Sequence, residues 1–156
     1  MFFYFKIIFL TAFLKIITTM DKTPQKISLF YCSNCINVNE LLTSKDLNKE
    51  FEIKNIGLSC SGRVNIQYLL KAIETGSDGA VLLTCPQGAC TFVEGNRRAK
   101  KRVIAVNTLL KESGFENDRI KLVLADSDDA PNQIIEKVIN ACKTIINVPK
   151  EGHITV

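Results

Sequence analysis

The chain has 156 residues, 46% of them hydrophobic and 23% charged, with a net charge of +4. That length holds one domain with its own core and leaves no room for two. The composition excludes a disordered chain, and so small a charge excludes a dedicated polyanion binder.

Aromatic residues are unevenly spread. Of nine Phe and three Tyr, Phe2, Phe3, Tyr4, Phe5, Phe9 and Phe13 fall in the first thirteen positions. Residues 1–20 form an apolar, helix-like leader with Lys6, Lys15 and no acid, which leaves +2 on the remainder. Three readings stay open for it. It lacks a basic n-region and a small-residue cleavage site, so it makes a poor signal peptide. As a membrane-associated helix it is interrupted by its two lysines. As an upstream extension it precedes a true start at Met20. Membrane contact is expected only if residues 1–20 are genuine. Residues 21–149 are expected to form one α/β domain, and 150–156 a short polar tail with His153, the only histidine.

Strand-like and helix-like stretches alternate through the domain. Residues 26–31 read as a first strand, followed by a modest helix around Val38, Leu41, Leu42 and Leu47. Residues 51–56 alternate with period two and read as a second strand. Asn65 caps a helix with Ile66, Leu69, Leu70 and Ile73 inward, and Gly76 closes it. Residues 79–84 are a continuous apolar run of the kind buried on both faces of a parallel sheet. The next helix covers about 96–113, with Ala99, Val103, Val106 and Leu110 on one face and Gly114 as its stop. Residues 120–124 supply a fourth strand. A last helix opens at Pro131 and turns Ile134, Ile135, Val138, Cys142, Ile145 and Ile146 inward. Right-handed crossovers then favour one open, mostly parallel four-stranded sheet with flanking helices, in the flavodoxin-like order 2-1-3-4.

Ligands of such sheets sit outside the carboxyl ends of the strands. Cys32 and Cys35 follow the first strand, Cys60 the second, Cys85 and Cys90 the third. Strands ordered 2-1-3 are neighbours, so five sulfurs converge on one crevice. Cys142 stands apart as a buried core residue. Structural disulfides suit oxidising compartments and domains too small for a core, and are not the expected use. Three chemistries stay open. Cys32-x-x-Cys35 at a strand-to-helix junction suits a redox dithiol, though it leaves Cys60, Cys85 and Cys90 without a task. Structural zinc takes four such ligands, usually from a small ribbon. An iron–sulfur cluster also takes four thiolates and benefits from backbone N–H donors, which Ser33, Asn34, Ser59, Ser61, Gly62 and Gly88 can present. Gly62 and Gly88 are expected where the backbone needs positive φ or a close approach.

At these residues the sequence resembles the iron–sulfur (delta) subunit family of methyl-viologen-reducing, F420-non-reducing hydrogenases. The matching segments are FYCSNC at 30–35, SCSGRV at 59–64, and the stretch 72–98 with Gly76, Gly79, Cys85, Gly88, Cys90 and Glu94-Gly95-Asn96. Leu109, Leu110, Gly114, Asp118, Arg119 and Ile120 extend it, over roughly 26–125 in all. The resemblance implies a [2Fe-2S] cluster held by four of Cys32, Cys35, Cys60, Cys85 and Cys90. It also implies an electron relay between a hydrogenase or other dehydrogenase module and a heterodisulfide-reductase-like partner carrying flavin and iron–sulfur groups. The chain would be a cytoplasmic electron-transfer subunit without a substrate site of its own. Pro86 and Thr91 stand where family members often have His after the last two cysteines. The alternative is a thiol-redox or zinc-stabilised module that binds partners.

Three further features have plainer readings. Arg97, Arg98, Lys100, Lys101 and Arg102 make a solvated helix face that could also dock an acidic redox protein. Without aromatic interleaving or a strongly basic domain, no nucleic-acid role is expected. Asp126, Asp128 and Asp129 lead into a helix N-terminus, which explains them better than a phosphoacceptor or metal site. No phosphate-cradling loop follows the first strand, which argues against bound FMN.

Overall fold

The computed structural model describes residues 24–34, 39 and 43–146. The leader, Cys35, Val38, Leu41, Leu42 and the tail with His153 lie outside the described residues. Four strands, β1 (Gln25–Cys32), β2 (Phe51–Leu58), β3 (Gly79–Thr84) and β4 (Ile120–Leu124), form one sheet in the order β2-β1-β3-β4. All three pairings are parallel, the first matching Cys32 with Leu58 and the second Tyr31 with Leu83. This is the expected order, with parallel pairing throughout.

Between the strands lie α1 (Lys45–Glu50), a 3-10 turn at Ser61–Arg63, α2 (Ile66–Glu74) and α3 (Gly95–Glu112), and α4 (Pro131–Ile146) follows β4. Ser44 caps α1 by accepting the Leu47 N–H, and Asn65 caps α2 by accepting the Gln67 N–H. Gly76 and Gly114 follow α2 and α3 with φ of 95° and 97°, a conformation that costs glycine little.

Side-chain alternation along the strands divides the core between the two faces. Ile27, Leu29, Tyr31, Val81, Leu83 and Val123 meet Leu47 of α1 and Ile134, Val138, Cys142 and Ile145 of α4. Phe30, Ala80, Leu82 and Ile120 meet Leu69 and Ala72 of α2 and Ala99, Val103, Val106 and Leu110 of α3. The central strand β3 is buried at all six positions, whereas β2 at the edge alternates. Each fully buried aliphatic side chain contributes about 1.5–3 kcal/mol relative to exposure. Gly79 permits the close approach of α4: a Cβ there would stand 2.4 Å from Ile145 Cγ2.

Side chains from a helix and from the loop before β3 tie both to the sheet. Asn107 of α3 donates from Nδ2 to the Ile120 carbonyl at 2.8 Å and accepts the Ile120 N–H at 3.1 Å. Edge strand β4 thereby gains a covering hydrogen-bond partner where it would otherwise be bare. At the amino ends, the Lys26 N–H donates to Asp78 Oδ2, and the Ser28 and Ser77 hydroxyls meet at 2.9 Å.

Candidate functional site: a buried cysteine cluster

Parallel strands joined by crossovers return the chain to the same sheet edge after each strand. Cys32 ends β1, Cys60 lies two residues past β2, and Cys85 directly follows β3. With Cys90 they form one buried cluster, each no more than 8% exposed. Cys32 Sγ and Cys85 Sγ are 3.4 Å apart. Cys60 and Cys90 meet over Gly95, where a Cβ would stand 2.5 Å from one sulfur and 2.9 Å from the other. The expected convergence therefore holds for four of the five, and Cys35 lies outside the described residues.

Contrary to expectation, Cys85 is disulfide-bonded. Sulfurs gathered this closely at one edge come within bonding reach of one another. Cys32, Cys60, Cys90 and Cys142 are free. Among the described residues no three His, Cys, Asp or Glu side chains are disposed around a single-ion position.

The loops are held to the site by their own polar groups. The Ser33 N–H donates to the Leu58 carbonyl, and Asn34 Nδ2 to the Ser59 carbonyl at 2.7 Å, so the C-x-x-C turn is fastened to the end of β2. The Gly62 N–H reaches Cys60 Sγ at 3.4 Å. Asn96 Nδ2 donates to the Pro86 carbonyl at 2.9 Å and the Cys85 carbonyl at 3.4 Å, which holds the Cys85 loop against the first turn of α3. Arg102 donates from Nη1 to the carbonyls of Gly62 and Val64 and clamps the 3-10 turn beside Cys60.

Gly62 and Gly95 are in backbone-to-backbone contact, since a Cβ on Gly62 would lie 2.6 Å from Gly95 Cα. Gly88 takes φ of 83° in the Cys85–Cys90 loop. Both glycines expected to matter do so, one by close approach and one by conformation.

Electrostatics separate the sulfurs. Burial raises the Cys60 thiol above its ordinary value; the Gly62 N–H opposes this, and nearby Cys90 and Cys32 add to the rise. Burial acts on Cys90 in the same sense, but the N–H groups of Phe92, Asn96 and Gly95 and the Cys60 side chain outweigh it, and the Cys90 thiol is lowered. Burial pushes Cys142 up to about 12, the value of an inert core thiol.

The other motifs resolve into structural roles. Arg97 and Arg98 of the basic run pair with Glu94, while Arg102 is half-buried and belongs to the clamp. Lys100 and Lys101 remain exposed, with no ion pair among the described residues. Lys137 Nζ bonds both Asp126 and Asp129 at 2.6 Å, so two of the three acids entering α4 share one cation.

Sequence reasoning gives no role at the site to three residues that the structure places there: Gly95, Asn96 and Arg102. Gly95 and Asn96 directly precede the apolar periodicity of α3, where a helix N-terminus supplies unpaired N–H groups. Arg102 is hidden among surface cations. Of the expected N–H donors, Gly62 serves a sulfur directly, whereas the Ser33 N–H is spent on the neighbouring strand.

A doubly wound domain that gathers cysteines from three crossovers at one sheet edge defines a class of thiol-cluster protein. Residues 27–147 match the family model described as methyl-viologen-reducing hydrogenase, delta subunit, and the chain belongs to that family. It is 36% identical over 70 residues to an iron-sulfur subunit of the F420-non-reducing hydrogenase of Archaeoglobus profundus, covering 45% of this chain and 51% of that protein. The chain thus spans about half the length of that relative. Against the vhu iron-sulfur subunit of the F420-non-reducing hydrogenase of Methanopyrus kandleri it is 28% identical over 99 residues, 64% of this chain and 71% of the other. It is also 29% identical over 113 residues to a subunit of the ferredoxin:CoB-CoM heterodisulfide reductase of Methanosarcina mazei, covering 70% of this chain but 14% of that protein. By their names these relatives are subunits of hydrogenases and of a heterodisulfide reductase. No described helix is long and apolar enough to cross a membrane.

Proposed function

We propose that the chain is an iron–sulfur electron-transfer subunit that holds a [2Fe-2S] cluster with four of Cys32, Cys35, Cys60, Cys85 and Cys90. In this reading it relays electrons between a hydrogenase or other dehydrogenase module and a heterodisulfide-reductase-like partner carrying flavin and iron–sulfur groups. The observation that carries the proposal is the single buried cluster of Cys32, Cys60, Cys85 and Cys90.

The surroundings suit such a group. The sulfurs lie under a backbone cradle at Gly62 and Gly95 that a methyl would fill, and the hydroxyl of Ser61, next to Cys60 in the chain, is buried without a partner among the described residues. When bound, the cluster supplies one-electron chemistry at a potential set by its hydrogen bonds and burial. The chain's own residues do the rest. The four cysteines that hold the group would do so as thiolates, and Cys85 could be one of them only in its reduced form. The Gly62 N–H at Cys60, and those of Phe92, Gly95 and Asn96 at Cys90, stabilise negative charge on sulfur. Arg102 and Asn96 hold two of the loops at fixed positions, which limits reorganisation when charge changes.

The match to a small part of a long heterodisulfide reductase polypeptide supports the partner assignment, because a domain found within one polypeptide suits docking to the same kind of protein when separate. Phe92 and Val93 expose apolar side chains just past Cys90, and Lys100 and Lys101 are exposed cations on the helix that follows. An acidic redox partner would be steered to it, and electron transfer would weaken with salt.

Anaerobically purified protein is expected to be brown, with about two irons per chain. Cys60→Ser is expected to remove the visible absorption, and retained absorption with full iron would take Cys60 out of the ligand set. Colourless protein would favour the second reading, a thiol-redox or zinc-stabilised partner-binding module. The disulfide at Cys85 and the lowered Cys90 thiol are the observations on its side.

A further inference from the structure

The 3-10 turn after β2 contains a buried polar group that the chain does not satisfy. Ser61 is fully buried, and its hydroxyl is without a hydrogen-bond partner among the described residues. A buried hydroxyl left unpaired costs stability, and native structures carry few of them. Its chain neighbours are already committed to the sulfur cluster: Cys60 supplies a sulfur, and Gly62 donates its N–H to that sulfur and touches Gly95. The backbone of Ser61 has its own task, accepting the Val64 N–H that closes the turn. Arg102 then fixes the turn from α3 through the carbonyls of Gly62 and Val64, so Ser61 is held in place while its side chain is unused.

A donor that the protein positions and leaves unpaired fits an acceptor that the protein does not itself provide. An iron–sulfur group brings sulfide acceptors, which become stronger acceptors when an electron is added. We propose that Ser61 is a positioning and tuning residue, its hydroxyl donating a hydrogen bond to a sulfur of the bound group and favouring the reduced state. This inference rests on the iron–sulfur reading of the same site and adds to it a residue that is not a ligand.

The test is a potentiometric titration of the full chain with dithionite, one electron per cluster, on wild type, Ser61→Ala and Ser61→Gly. Iron, sulfide and visible absorption are measured on the same samples. At unchanged iron content, both variants are expected to show a more negative midpoint, with about a tenfold fall in the equilibrium constant for reduction, equivalent to about 59 mV for one electron. The shift between H2O and D2O in the iron–sulfur stretching bands should also be smaller than in wild type. Ser61→Gly deletes the same hydroxyl beside an existing glycine and decides the matter if Ser61→Ala does not assemble. An unchanged midpoint and an unchanged isotope shift in a fully loaded variant would overturn the role of Ser61 while leaving the iron–sulfur reading intact. A wild-type protein without iron or sulfide would overturn that reading and the inference with it.

Discussion

Gly95 shows how little room the site allows. A single methyl there would meet two sulfurs at once, at 2.5 Å and 2.9 Å, and neither sulfur lies at the end of a long flexible side chain. Gly95→Ala is therefore expected to cost about 1–3 kcal/mol through forced repacking. It should also displace the Gly62 contact that orders the turn after Cys60. Denaturant unfolding of the two proteins checks this, and an unchanged midpoint would mean that the first turn of α3 moves aside freely. At the same scale, Asp129 accepts the Asp126 N–H at 2.7 Å and pairs with Lys137, which together hold its carboxyl below the ordinary value, while the carboxylates of Asp126 and Asp129 raise the Lys137 ammonium. The Asp129 contribution is complete above its ordinary value of 3.8 and disappears as pH falls through the lowered native value. The Lys137 contribution is complete below 10.5 and disappears as pH rises through the raised native value. Lys137→Met should lower Tm at pH 7, by an amount that shrinks toward zero in acid. An equal difference at pH 7 and in acid below the lowered Asp129 value would refute the pairing. The effect is small because Lys137 and Asp126 are partly exposed.

At the scale of elements, α3 joins the two halves of the structure. Its first turn meets the sulfurs, its middle clamps the 3-10 turn through Arg102, and its last turns hold β4 through Asn107. Asn107→Ala removes both bonds to Ile120, a fully buried residue at the sheet edge. A cost of about 2–3 kcal/mol is expected, because buried backbone groups lose their partners. A loss below half that in equilibrium unfolding would show that water replaces the amide. These roles explain what was legible in advance and what was not. The apolar positions of α3 announce its buried stripe, and the run at β3 announces a central strand, because hydrophobic burial leaves a periodic trace. Asn107, Asn96 and Arg102 leave none. Each is a polar residue on a helix, and its importance comes from a backbone group many residues away. The cysteines were legible for a different reason: the strand order alone brings their loops to one edge. The disulfide at Cys85 was not, because it depends on sulfur-to-sulfur distances that spacing does not set.

For the whole molecule, the two-faced core makes Cys142 a test of cooperativity. The thiol is fully buried against the face covered by α4 and is pushed up to about 12, so it is both inaccessible and protonated at neutral pH. Under native conditions it should resist alkylation, and its modification rate should follow the global unfolding equilibrium measured by denaturant. Faster labelling would mean that α4 detaches as a separate unit. Mass spectrometry of the labelled peptide distinguishes the two outcomes.

The spread of the clustered cysteines along the chain also bears on biosynthesis. Cys32 emerges from the ribosome 58 positions before Cys90, an interval of about 3–12 s at typical synthesis rates. During that time Cys32 and Cys60 lack the two later members of their cluster, Cys85 and Cys90, which follow β3 in the chain. The four-sulfur site is therefore completed only after the third strand has been made.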